Sequence, residues 1–120
     1  AREWFWMQEL LYVAFECCYP EPDGEQLFLA HCASCHSVDM KRDLTGPALA
    51  NTRVNWSEFP REELYTFIRN SQGLIANEDA VSQTYAADLY QKWGSVMTPY
   101  PEFSNHEIRA ILDFIDQKAK

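Results

Sequence analysis

Cys32-Ala33-Ser34-Cys35-His36 is the stretch whose reading decides how this chain of 120 residues is organised. Two thiols two residues apart, with an imidazole directly after the second, match the attachment signature of a c-type haem. On one helical turn Cys32 and Cys35 can both reach the haem vinyl groups and form thioethers. His36 then projects toward the iron as proximal ligand, a role in which imidazole is the usual choice. A Cys-x-x-Cys pair also serves as half a zinc site, as a redox dithiol or as a plain disulfide. A zinc site needs four ligands, and the other two cysteines, Cys17 and Cys18, are adjacent and badly placed for a tetrahedron. A redox dithiol belongs in a strand-helix context that the surrounding sequence lacks.

Downstream of the motif, Ser37 to Leu44 is polar and charged and reads as a loop. Thr45-Gly46-Pro47-Ala48-Leu49 follows, with Pro47 eleven residues beyond His36. A carbonyl in such a turn is suited to accept the other imidazole N–H, which fixes the ring and tunes the iron. Alone, Gly-Pro is a turn signal. For the opposite face of the haem, a thioether is a soft, neutral ligand that favours ferrous iron and raises the reduction potential. Of the three methionines, Met7 lies near the N-terminus and Met40 is only four residues past His36. Met97, in Val96-Met97-Thr98-Pro99, is far enough away to return on the other face, on a loop stiffened by Pro99 and Pro101. It is the expected sixth ligand, although a lone methionine is usually a core filler.

The helices read as follows. Glu21-Pro22-Asp23-Gly24 is punctuation, and Asp23 is the expected cap of a helix from Gly24 to His31, with Gln26 as its reciprocal partner. Pro60 to Asn70 reads as a helix with Glu62 and Glu63 at its positive end and Gly73 beyond its exit. Leu64, Phe67 and Ile68 are its inward face. A further helix is expected from Asp79 to Trp93, its face made by Tyr85, Ala86, Leu89, Tyr90 and Trp93, and broken by Gly94. Ser104 and Glu107 form a capping box for the last helix, where Ile108, Ile111, Leu112 and Ile115 share one side. Phe114 is placed to cross the first helix near Gly24 and Phe28, the bare glycine permitting a close approach. Neither His31, beside the attachment site, nor His106, on an exposed first turn, is an expected ligand.

Bulk properties bound the rest. One domain is expected, with chain enough to close around a large apolar cofactor. A hydrophobic content of 47% with only 4 Gly and 6 Pro argues for an ordered globule. No apolar run approaches the roughly 20 residues needed to cross a bilayer. The net charge of −8 is uneven. Residues 1–25 hold six acids against one base, a balance of −5, and residues 26–120 hold twelve against nine. Such a chain offers no electrostatic case for nucleic acid or an anionic membrane surface.

Residues 1–22 read as an extension to a haem domain over 23–120. Trp4, Phe5, Met7, Leu10, Leu11, Ala14 and Phe15 approximate a helical stripe ending before Pro20 and Pro22. Packing on its own domain and docking against another subunit through residues 1–18 both fit this stripe. Cys17 and Cys18 do not readily bridge each other. Buried free thiols, an intermolecular bridge and lipid attachment are all compatible with them. Haem attachment through cysteines implies maturation outside the cytoplasm, in the periplasm or an equivalent space. Because the chain starts at Ala1, removal of an export signal or trimming is expected.

From Gly24 to about Ile115 the chain resembles a class I cytochrome c. Four features match in order: the Gly24 to Phe28 helix, Cys32-x-x-Cys35-His36, Gly46-Pro47, and Met97 ahead of a terminal helix containing Phe114. The resemblance implies an all-α fold with crossed N- and C-terminal helices around one covalent haem c, plus an N-terminal helical extension. It implies cofactor contacts from Cys32, Cys35, His36, Pro47 and Met97, with iron held by His36 and Met97. The long Gln72 to Trp93 insert is similar to haem domains of bacterial respiratory complexes, including quinol:cytochrome c oxidoreductase assemblies. The functional expectation is therefore a one-electron carrier, not an enzyme in itself, whose partners are redox proteins or a membrane respiratory complex. The competing expectation is a gas-binding sensor or haem enzyme with a labile sixth ligand; a subunit that docks its haem through residues 1–18 is a further reading, compatible with the carrier. Arg53 and Trp56 are candidates to bond the haem propionates.

Overall fold

The computed structural model describes residues 21–120. The helix expected over Glu3 to Cys18, with Met7, Cys17 and Cys18, lies outside the described residues. Five helices and no strand occur among the described residues: α1 Gly24–His31, α2 Thr52–Asn55, α3 Arg61–Ala76, α4 Gln83–Trp93 and α5 Asn105–Ala119. The expected all-α class is the one found.

α1 packs chiefly on α5, and α4 on α3. Asp23 Oδ1 accepts the Gln26 N–H at 3.2 Å and starts α1, although Gln26 returns no side-chain bond. Ser104 and Glu107 complete the full reciprocal box that starts α5. The two helices meet where α1 has no side chain: a Cβ on Gly24 would lie 2.0 Å from the Ala110 carbonyl oxygen. Below that point Phe28 and Phe114 meet with ring centroids 5.4 Å apart. Around them lies the main core of Met40, Tyr65, Phe103, Ile108, Ile111 and Ile115.

A second core packs the insert against the Trp56 to Phe67 stretch. Trp56, Leu74 and Ala86 are buried there, with Phe59, Phe67 and Tyr85 packed against them. Trp56 sits at the centre of an aromatic group, 5.1 to 5.7 Å from the rings of Phe67, Tyr85 and Phe59. Aromatic pairs at these separations add to what their buried area alone contributes.

Two helix boundaries differ from expectation. α3 does not stop at Asn70; it breaks there (φ −163°, ψ 83°) and continues to Ala76. The Asn70 side chain makes this workable, because its Oδ1 accepts the Gly73 N–H at 3.1 Å and so caps the second segment. Gly73 is inside the helix and not past it. α4 begins at Gln83, four residues later than expected from Asp79. Asn77 Oδ1 instead accepts the Asp79 N–H at 3.0 Å in a turn that competes with helix. At its far end α4 stops as expected at Gly94, in the left-handed region at φ 72°.

The α4 start is held from α3. Glu63 Oε1 accepts from Ser82 N–H at 2.8 Å and from Ser82 O–H at 2.5 Å, and Glu63 Oε2 accepts from Val81 N–H at 3.0 Å. The Ser82 hydroxyl, followed by the two backbone donors, holds the Glu63 carboxyl below its ordinary range. A depressed folded value means the bonded carboxylate stabilises the fold above the ordinary glutamate value and loses that effect as pH falls through the depressed one. At pH 7 Glu63→Gln is expected to lose about 1 kcal/mol in denaturant unfolding, a modest figure for a partly exposed group. The difference from wild type should shrink as pH drops below about 4.5.

Candidate haem-attachment site

The attachment segment continues directly from α1. Cys32 and Ala33 N–H groups both donate to the Phe28 carbonyl, at 2.8 and 3.0 Å, and the chain then makes one tight turn. Cys35 and His36 N–H groups donate to the Cys32 carbonyl at 3.1 and 2.9 Å. Both sulfurs are free thiols, half-buried on this turn. Burial, followed by the neighbouring Cys35, pushes the Cys32 thiol up to about 11. A reactive dithiol uses the opposite shift, toward thiolate. Among the described residues, no three His, Cys, Asp or Glu side chains cluster as a zinc site requires.

His36 is buried, 8% exposed. Its Nδ1 lies 2.8 Å from the Pro47 carbonyl oxygen, and since a carbonyl only accepts, Nδ1 carries the proton. Nε2 is thereby left as the ring nitrogen available to a metal. Two features bring the Pro47 turn to the imidazole. Gly46 N–H donates to the Cys35 carbonyl at 2.7 Å, and a Cβ on Gly46 would lie 2.6 Å from His36 Cε1. Asp43 Oδ1 accepts the Ala48 N–H at 2.8 Å across the same turn.

The polar loop between them is stitched by its own side chains. Ser37 O–H donates to Asp39 Oδ1 at 2.8 Å, and Ser37 Oγ accepts the Arg42 N–H at 3.1 Å. This folding drives Met40 wholly inward, at 0% exposure and a φ of 64°. Its carbonyl accepts the Ala50 N–H at 3.0 Å. A core residue within a charged stretch was invisible to periodicity, though an isolated methionine among Asp, Lys and Arg is a usable signal.

Met97 is half-buried on the segment between α4 and α5. Three residues on, Tyr100 O–H donates to the His31 carbonyl at 2.6 Å, immediately before Cys32. His31 is thus an aromatic partner, edge-on to Tyr100 and Phe103 at 5.4 and 5.3 Å. His106 pairs with Glu21 at 2.7 Å on the surface. Arg53 pairs with Asp116 at 3.0 Å, and Trp56 belongs to the second core. Both line a cleft between α2, α3 and α5 that Cys32, Cys35, His36, Pro47 and Met97 do not line. Ser71, which no sequence pattern singles out, is 3% exposed, and its hydroxyl has no hydrogen-bond partner among the described residues.

The donor set therefore fits a covalently held haem: two free thiols on one turn, and a buried imidazole with one ring nitrogen not engaged by Pro47. A family model described as Cytochrome c matches residues 22–119. The chain belongs to the cytochrome c family. Among solved structures it is similar to a cytochrome c from Rhodothermus marinus, with 28% identity and a TM-score of 0.62 over 80% of this chain and 73% of that one. No curated protein matches. The chain is a class I c-type cytochrome that carries covalent haem c with its iron and works by haem-based electron transfer. Cytochrome c domains are typically extracytoplasmic. No helix among the described residues is long and apolar enough to cross a membrane.

Gly46→Ala tests the packing of the turn on the imidazole. The added methyl is expected to push His36 off the Pro47 carbonyl and cost about 1–3 kcal/mol in denaturant unfolding. The same variant should shift the His36 ring resonances in NMR spectra of the ferrous protein. An unshifted ring would mean that the turn does not hold it.

Proposed function

We propose that Cys32 and Cys35 form the two thioethers, that His36 and Met97 are the axial ligands, and that the domain over 23–120 carries single electrons in a respiratory or related redox chain outside the cytoplasm. The observation that carries this reading is the His36–Pro47 hydrogen bond at 2.8 Å. It fixes both the tautomer and the direction of the ring, as metal-bound imidazoles generally require.

Bound haem supplies a one-electron iron couple. The protein's residues do the rest. Cys32 and Cys35, half-buried on one turn, anchor the group to α1 and so to the main core. The Pro47 carbonyl accepts a hydrogen bond from His36 Nδ1–H and would make His36 a stronger donor to the iron. Met97 supplies a soft sulfur that favours the reduced state. With His36 and Met97 both holding the iron, no position would be open to a substrate, which suits a carrier. Axial ligand choice shifts haem potentials over roughly 0.8 V across proteins, so this pairing is a functional setting. Residues 1–18, with their apolar stripe, are the proposed docking segment toward a redox partner or a larger complex.

Optical spectra of the purified holoprotein test the ligand set. Low-spin haem with the far-red methionine-to-iron band at neutral pH is expected. Met97→Ala should abolish that band and lower the reduction potential. High-spin iron in wild type, or a band indifferent to Met97, would overturn the ligand assignment and favour a ligand-binding haem. Deleting residues 1–18 should leave the spectrum unchanged and remove association with a membrane fraction; retained association would rule out the docking role.

A further inference from the structure

The break in α3 has a definite hydrogen-bond consequence. In an unbroken helix the Gly73 N–H donates to the Arg69 carbonyl. Here it donates to Asn70 Oδ1 at 3.1 Å, and the freed Arg69 carbonyl accepts the Tyr100 N–H at 2.9 Å. The Arg69 side chain extends the seam, its Nε donating to the Phe103 carbonyl at 2.8 Å and its terminal nitrogen to Asn105 Oδ1. Residues 100–105 are thus laid along one turn of α3.

Tyr100 also reaches the other way. Its phenol donates to the His31 carbonyl at 2.6 Å, at the last residue of α1. Its ring stacks on Phe103 at 5.0 Å and 10° and meets His31 edge-on at 5.4 Å. One residue therefore bonds α3 through its backbone and the start of the attachment segment through its side chain. Met97 is three residues away, a reach of at most about 10 Å of extended chain. That chain contains Pro99, whose fixed φ removes further slack.

We infer that Tyr100 is a positioning residue for the electron-transfer site: it clamps the Met97 segment between broken α3 and the end of α1, and so keeps the thioether from yielding its place to competing ligands. The inference rests on Met97 being the sixth ligand. A methionine leaves iron by swinging its segment outward, and here that motion has to break bonds at both ends of Tyr100. The Asn70 break, unexplained by packing alone, is the feature that frees the carbonyl for one of them.

The test is imidazole titration of the ferric holoprotein, following loss of the far-red band, in wild type and Tyr100→Phe. Phenylalanine keeps the ring stacking and removes only the phenol. The variant should keep its band without imidazole, yet bind imidazole with a roughly tenfold lower Kd. Asn70→Ala, which returns the Arg69 carbonyl to Gly73, should move the Kd the same way. Amide hydrogen exchange at Tyr100 should accelerate in both variants. If Met97→Ala abolishes the wild-type band while Tyr100→Phe binds imidazole within twofold of wild type, the clamp is wrong and the ligand assignment stands. A wild-type band that does not depend on Met97 overturns the ligand assignment instead, and the clamp with it.

Discussion

Where α1 crosses α5, the Ala110 carbonyl occupies the space a side chain on Gly24 would need. This contact, closer than any larger residue allows, lets Phe28 and Phe114 pack against each other one turn below. The attachment segment and the segment of the proposed ligand Met97 both hang from that crossing. α1 runs without interruption into Cys32, and α5 is entered from the segment that carries Met97. Fixing two helices therefore fixes Cys32 and brings in the segment of the proposed ligand Met97, 65 residues apart in the chain. The capped starts of both helices, at Asp23 and Ser104, make the register at the crossing definite.

The site itself depends on a few directional bonds laid over this packing. Pro47 orients His36 from one side, and Tyr100 ties the methionine segment to the same stretch from the other. Electron transfer gains from such rigidity, because a site that moves little between redox states needs little reorganisation. The insert and the Trp56 to Phe67 stretch together form a second core separate from the main one. Its attachment to the rest runs through α3, which contributes Tyr65 to the main core and Leu74 to the second. α3 is thus the bridge between the two cores, and its break at Asn70 falls between those residues.

Much of this was legible in the sequence, where local chemistry dominates. Cys-x-x-Cys-His, the Gly46-Pro47 turn, the Ser104–Glu107 box, the Gly94 stop and the Gly24 crossing all announce themselves within a few residues. The misses share a cause: a side chain took a bond that local pattern assigns to the backbone. Asn70 caps a new helical segment where a simple end was expected, and Asn77 makes a turn where a helix start was expected. Glu63 and Ser82 meet across 19 residues, and Tyr100 and His31 across 69, distances over which no periodicity speaks. Met40 is weighed in the sequence only as a ligand; its burial is not announced because its neighbours are charged, although their mutual bonds are what turn it inward.

The central claim is an iron held by one imidazole and one thioether in both oxidation states. X-ray absorption at the iron edge of the holoprotein, recorded oxidised and then reduced, addresses it directly. Six-coordinate iron with one sulfur scatterer in both spectra, and little change in bond lengths between them, is the predicted result. Iron that lacks the sulfur or drops to five-coordinate on reduction would contradict the account, and would make this domain a haem that opens to a ligand.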